Sequence, residues 1–180
     1  METTFPRALA AVLRHEGGYV DDPRDPGGAT NQGITLTTFR HYYGEHQMRR
    51  DLAAITQEQV THIYRTGYWD CCRCNELPVG VDYVVFDQAV NSSPLQSITW
   101  LQKAAGVATD GQLGPVTLGV VSNAVPSILI QEMCRLRLSV LQRLRNGTLW
   151  RTYGRGWRRR VTEVQALALQ LAAGHVSPHR

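Results

Sequence analysis

Phe5, Leu9, Val12 and Glu16 follow one another at spacings of 4, 3 and 4, which on an α-helix places all four on one stripe. Three are apolar and should face a core. The fourth is a carboxylate where a buried side chain belongs. Gly17-Gly18 comes next, and glycine is the residue that best ends a helix in a left-handed cap. Glu16 is therefore expected at the last turn, at the edge of the core, with a loop arriving over it. Desolvation there would raise its pKa and keep its proton near neutral pH, as a general acid requires. The same spacing also fits an ordinary solvated glutamate at a frayed helix end.

The loop after Glu16 carries three further carboxylates, Asp21, Asp22 and Asp25, stiffened by Pro23 and Pro26. Pro26-Gly27 suits the centre of a type II turn. Thr30 to Thr35, with Gly33 inside, has the look of a short β-ribbon. A helix-end glutamate opposite an aspartate-bearing loop or ribbon is the pairing of proton donor and second carboxylate that cleaves a glycosidic bond. The plainer reading is that Asp22 and Asp25 only cap turns before prolines, which aspartate does well.

The run His15-Glu16-Gly17-Gly18-Tyr19, Asp22-Pro23, Asp25-Pro26-Gly27-Gly28, Thr30-Asn31 and Gly33-Ile34-Thr35 resembles the signature of glycoside hydrolase family 108, the lysozyme-like N-acetylmuramidases once labelled secretion-activating proteins. Further matches to the same pattern are Tyr68-Trp69-Asp70, Phe86-Asp87 with Asn91-Ser92, Asp110-Gly111 with Gly114-Pro115 and Thr117, and Gly156-Trp157 with Arg160. The resemblance implies hydrolysis of the β-1,4 bond between N-acetylmuramic acid and N-acetylglucosamine in peptidoglycan, without metal or cofactor, in wall remodelling for secretion or in lysis. Glu16 then protonates the leaving oxygen. Lysozyme-like folds commonly place the second carboxylate and a water-holding polar residue on a ribbon after the acid. Asp25, nine residues beyond Glu16, takes the first role, with Asp22 the runner-up. Tyr19, Thr30, Asn31, Thr35, Asp87 and Asn91 are the sugar-binding candidates. Thr30, Asn31 and Thr35 could equally tie the ribbon together, and Asp87 and Asn91 could bond loop ends in the core.

A length of 180 residues, 43% hydrophobic and 19% charged, belongs to a globular protein rather than a disordered one. The net charge of +4 rests almost wholly on arginine, with Lys103 the single lysine. Arginine suits carboxylate and phosphate partners, and the densest patch is Arg151, Arg155, Arg158, Arg159 and Arg160. Its preferred reading is steering toward the anionic wall. A non-catalytic peptidoglycan-binding protein and an arginine-rich nucleic-acid-binding protein are the two alternatives. The intact acid at Glu16 argues against the first, and the lack of a nucleic-acid motif against the second. Trp150, Tyr153 and Trp157 could stack on sugars, though this spacing more often belongs to a core.

No run approaches 18 apolar residues, so no stable membrane insertion is expected. Glu2 and Arg7 break the pattern of a secretory signal. The chain is expected to be made in the cytoplasm and to reach the periplasmic wall by a separate route such as a holin-like pore. Cys71, Cys72, Cys74 and Cys134 lack the paired spacing of a zinc site and are expected as free thiols.

Local signals mark the elements that must hold the candidate residues. A helix over 5–16 leads into the loop and ribbon over 18–35. Thr56 and Gln59 form a capping box for a helix reaching Gly67. Val79 to Val90 is an apolar helix. Ser93-Pro94, Pro115 and Pro126 open three more, and Asn146-Gly147 closes the longest. Gly154 to Gly156 break the chain before a last helix from Arg159 to Ala173. The fold class is α+β, mostly helical and lysozyme-like, with a small ribbon after the first helix. A catalytic lobe over 1–92 is expected to pack as one unit with a helical lobe over 93–180, the part that resembles what the family labels a peptidoglycan-binding domain.

Overall fold

A computed structural model describes residues 4–21 and 28–175 of the chain. They fall into two compact units, one within 5–67 and one from Tyr68 onward that also takes in Thr4.

In the unit Phe5–Gly67, helix α1 (Phe5–Leu13) buries Phe5, Ala8, Leu9, Ala11 and Val12, so the apolar stripe is the inward face. The helix ends differently from the sequence expectation. The amides of His15 and Glu16 donate to the carbonyls of Val12 and Leu13, at 2.9 and 3.2 Å. This tightened last turn satisfies helix carbonyls, and neither Gly17 nor Gly18 adopts a positive φ. Strands β1 (Thr30–Asn31) and β2 (Ile34–Thr35) pair antiparallel. Gln32 and Gly33 between them both have positive φ, 49° and 78°, as a two-residue hairpin turn of type I′ requires. Val20 and Thr30 exchange two backbone bonds of 2.8 Å, so the ends of the intervening loop meet at one rung.

Two short helices follow that periodicity does not reveal, α2 (Leu36–Tyr43) and α3 (Arg49–Ala53). Each buries a single side chain, Phe39 and Leu52, and one buried residue makes no stripe. Helix α4 (Gln57–Tyr64) starts at the expected capping box, where Thr56 and Gln59 each accept the other's backbone N–H. It gives way to one π-helical turn over Arg65–Asp70.

The unit from Tyr68 onward holds α5 (Val81–Asn91), α6 (Pro94–Ala104), α7 (Pro115–Asn123), α8 (Pro126–Arg143) and α9 (Thr148–His175). Proline opens α6, α7 and α8, and the Ser93 hydroxyl caps α6. Helix α5 packs on α6, α8 and α9 and buries every residue from Val81 to Ala89. A division at 92/93 would separate α5 from α6 within this unit. Helix α9 runs unbroken through Gly154 and Gly156, where the sequence suggests a break. A Cβ at Gly154 would lie 2.7 Å from Cδ2 of Trp150, so this glycine seats the indole against the helix. Among the described residues no single helix is long and apolar enough to cross a membrane. All four cysteines are free, with Cys71 exposed and the others buried. Burial pushes the Cys134 thiol up to about 12, far from the range of a reactive thiolate.

Asp87 sits in the middle of α5, fully buried. One carboxylate oxygen accepts from Nη1 of Arg137 on α8, and the other from Nη2 of Arg160 on α9 at 3.0 Å. Arg137 also donates to Asn91 Oδ1 at 2.7 Å. Burial pushes the Asp87 carboxyl up, but Arg137 and then Arg160 more than offset it, and the carboxyl lies below the usual aspartate value. A depressed native pKa stabilises the fold above the unfolded value, about 3.9. That stabilisation is lost as pH falls through the lower native value.

Asp87→Asn should therefore destabilise the protein by about 3–5 kcal/mol at neutral pH, because two buried guanidiniums lose their counter-charge. Urea melts of the two proteins should draw together as pH falls below about 4 and through the lowered native value, where protonation removes the same charge from wild type. A fragment over 1–92 should fail to melt cooperatively, because it strips α6, α8 and α9 from the buried surface of α5. Calorimetry on the purified fragment checks this.

Candidate active site

The turn that closes α1 delivers a half-buried Glu16 to the ribbon. A Cβ built on Gly33 would stand 2.9 Å from Glu16 Oε2, 3.2 Å from its Cδ and 2.6 Å from the Tyr64 hydroxyl. The acid and the phenol thus border the bare Cα of Gly33 within a few ångströms of each other. Gly33 meets two demands here: a left-handed φ, and no side chain where the two oxygens lie. Tyr64, 2% exposed on α4, donates its hydroxyl to the backbone oxygen of Gln32 at 2.8 Å. The end of α1, the ribbon turn and the end of α4 therefore converge on one point.

Tyr64 escapes a reading of the sequence because on α4 it counts as one more apolar residue beside Val60 and Ile63. The usable signal is that a buried tyrosine needs a partner for its hydroxyl, and the sequence does not say which.

The other candidates divide. Asp22 and Asp25 lie outside the described residues. Tyr19 is exposed, and its hydroxyl approaches Asp21 Oδ2 at 3.4 Å. Asp21 also faces Nε of Arg49 at 3.5 Å. Asn31 is buried and donates to the carbonyls of Leu52 and Ala53, at 3.0 and 3.3 Å. Its amide thus ties the ribbon to the C-terminal end of α3, where helix carbonyls need donors. Thr30 and Thr35 are opposite each other across the ribbon, both half-buried. Thr35 caps α2 by accepting from the Thr38 amide at 3.0 Å.

Asp87 and Asn91 belong to the other unit, where Asp87 has no exposed surface and Asn91 accepts from Arg137. Burial and two guanidiniums make Asp87 a core residue rather than a sugar contact. Arg160 likewise leaves the basic patch for Asp87, while Arg151, Arg155, Arg158 and Arg159 are exposed. Trp150, Tyr153 and Trp157 pack on one another, with centroids 6.3 Å apart for the two tryptophans and 5.7 Å for Tyr153 and Trp157. Arg158 lies over Trp150 at 5.5 Å.

Chemically, the convergence at Gly33 sets a carboxyl beside a backbone turn held by the Tyr64 hydroxyl. An oxygen approaching over the turn would meet Glu16. A hollow of about 560 Å³ opens where α2 begins, lined by Leu36, Arg40, Met48, Arg49 and Arg50. Its lining is basic and includes no acid.

A family model described as Glycosyl hydrolase 108 matches residues 9–93, which include Glu16, the ribbon, α4 and α5. No curated protein sequence matches. Among solved structures, SagA of Brucella abortus is 40% identical with a TM-score of 0.82, over 94% of this chain and 95% of that one. An identity of that level across nearly the whole chain covers both units, including the mostly helical lysozyme-like frame with its small ribbon. The chain belongs to the glycosyl hydrolase 108 family and is a lysozyme-like, muramidase-type glycoside hydrolase whose substrate is peptidoglycan.

Proposed function

We propose that this protein is an endo-acting N-acetylmuramidase that hydrolyses the β-1,4 bond between N-acetylmuramic acid and N-acetylglucosamine, with Glu16 as general acid. The observation that carries the reading is the position of the Glu16 carboxyl, half-buried against the bare Cα of Gly33 at the ribbon turn. A carboxylic acid held there can pass its proton to the glycosidic oxygen as the C1–O bond breaks. The sugar ring left behind carries oxocarbenium-like positive charge. Asp25 is the second carboxylate of the proposal, holding a water or stabilising that charge, with Asp22 as the runner-up. Tyr19 and the threonines of the ribbon, Thr30 and Thr35, are the sugar contacts. The exposed Arg151, Arg155, Arg158 and Arg159 would draw the enzyme toward an anionic wall. Wall remodelling for secretion, or lysis, is the biological role, with delivery through a separate exit such as a holin-like pore.

Glu16→Gln should keep its melting temperature and lose wall hydrolysis by about 10²–10⁴-fold, because an amide cannot donate the proton. A zymogram on purified cell wall beside wild type decides it, and appreciable activity in the folded variant would falsify the assignment. Asp25→Asn should cost far more activity than Asp21→Asn, whose side chain is engaged with Tyr19 and Arg49. Turnover that falls most in Asp22→Asn would move the second carboxylate to that position.

A further inference from the structure

Tyr64 has a place at the site that the chemistry assigned to Glu16 does not use. Its ring is buried, on a helix whose start is fixed by the reciprocal Thr56–Gln59 cap. The hydroxyl therefore occupies a set position. Its proton goes to the backbone oxygen of Gln32 at 2.8 Å, a residue held at a left-handed φ of 49°. The turn next to Glu16 is thus pinned at the carbonyl immediately before Gly33. The Glu16 carboxyl reaches the same few ångströms of space, 2.9 Å from where a Gly33 Cβ would stand.

We propose that Tyr64 is a positioning residue for the reaction: by holding the Gln32–Gly33 turn, its hydroxyl fixes the surface against which the Glu16 carboxyl rests and so sets where the proton is delivered. This rests on the reading of Glu16 as the acid. The physical demand is geometric. Proton transfer to a glycosidic oxygen requires the donor within hydrogen-bond reach at the correct angle, and a misplacement of about 1 Å can cost about 10²-fold in rate. The Gln32–Gly33 turn is one boundary of that position, since the Glu16 carboxyl oxygen lies 2.9 Å from where a Gly33 Cβ would stand, and Tyr64 holds the turn. Gly33 completes the arrangement, since any Cβ there would collide with both oxygens at 2.6 and 2.9 Å.

The test uses the full-length protein on soluble peptidoglycan fragments. Tyr64→Phe removes one buried oxygen and keeps the ring. It should lower kcat by about 10- to 100-fold, leave KM within about twofold, and shift the Gly33 amide resonance while most of the spectrum stays in place. Gly33→Ala probes the same contact from the turn and should also lower kcat. In the double variant the two losses should fall short of multiplicative, because the alanine methyl no longer meets the hydroxyl. Wild-type kcat in either folded single variant overturns the proposal, as do fully multiplicative losses. A kcat loss that only tracks a fall in melting temperature assigns Tyr64 a purely structural role and overturns it too. If Tyr64→Phe does not fold, Gly33→Ala decides alone: low kcat with an intact melt supports the proposal, and unchanged kcat overturns it. Glu16→Gln separates the two layers. Full activity in that variant removes the acid and the positioning role together. Its inactivity beside wild-type kcat in the other two removes the positioning role only.

Discussion

Asp87 carries a negative charge where water does not reach, and the unit from Tyr68 onward is arranged so that this charge is answered. A lone buried carboxylate would take up a proton or force the helix apart. Here it draws a guanidinium from α8 and another from α9, which fixes the rotation of three helices at once. Apolar side chains of similar size could fill the same space with less electrostatic cost, but they would tolerate slippage that two directed ion pairs do not. The cost is visible beside them: Nε of Arg137 and Oε1 of Gln88 are buried without a hydrogen-bond partner. Specificity of arrangement is what this cluster contributes, bought with polar groups that an aliphatic core would not bury.

The unit that carries Glu16 is held by a different device. Its helices are short, and α2 and α3 each contribute one buried side chain. Side chains tied to the backbone do much of the joining instead. Asn31 binds the ribbon to α3, and Tyr64 binds the ribbon turn to α4. Thr35 links the ribbon's second strand to the start of α2. Each bond has a definite direction, so the turn beside the acid is located by geometry more than by the amount of buried surface.

The sequence yields the helices that carry their own punctuation. Thr56 with Gln59, Ser93 with Pro94, Pro115 and Pro126 mark starts that depend only on local chemistry. The α1 stripe is legible because three apolar residues recur at helical spacing. Where glycine misleads, a contact with the preceding turn of the same helix has decided the outcome. Gly154 reads as a break, yet it lies within α9 because an indole needs the space a side chain would fill. Gly17 and Gly18 read as a left-handed cap, yet the amides of His15 and Glu16 satisfy the helix carbonyls first. α2 and α3 leave no periodic trace because a single buried residue has no period.

The site shows the same limit in sharper form. Polar residue types near an acid are ambiguous, since asparagine, aspartate and threonine serve sugars and backbone equally well. Burial resolves the ambiguity: Asn31 and Asp87 are turned inward to partners far along the chain, 21 and 50 residues away. Glu16 and Gly33 are different, because their residue types are constrained in opposite ways. Glu16 is a carboxyl at the end of an apolar stripe, half-buried beside the ribbon turn. Gly33 combines a left-handed φ with a Cβ position that lies 2.9 Å from that carboxyl, so any larger residue there must displace a neighbour. Two positions that restrict each other in this manner are a sharper constraint on residue type than a cluster of polar side chains is, and Tyr64 joins them because its hydroxyl lies 2.6 Å from the same Cβ position.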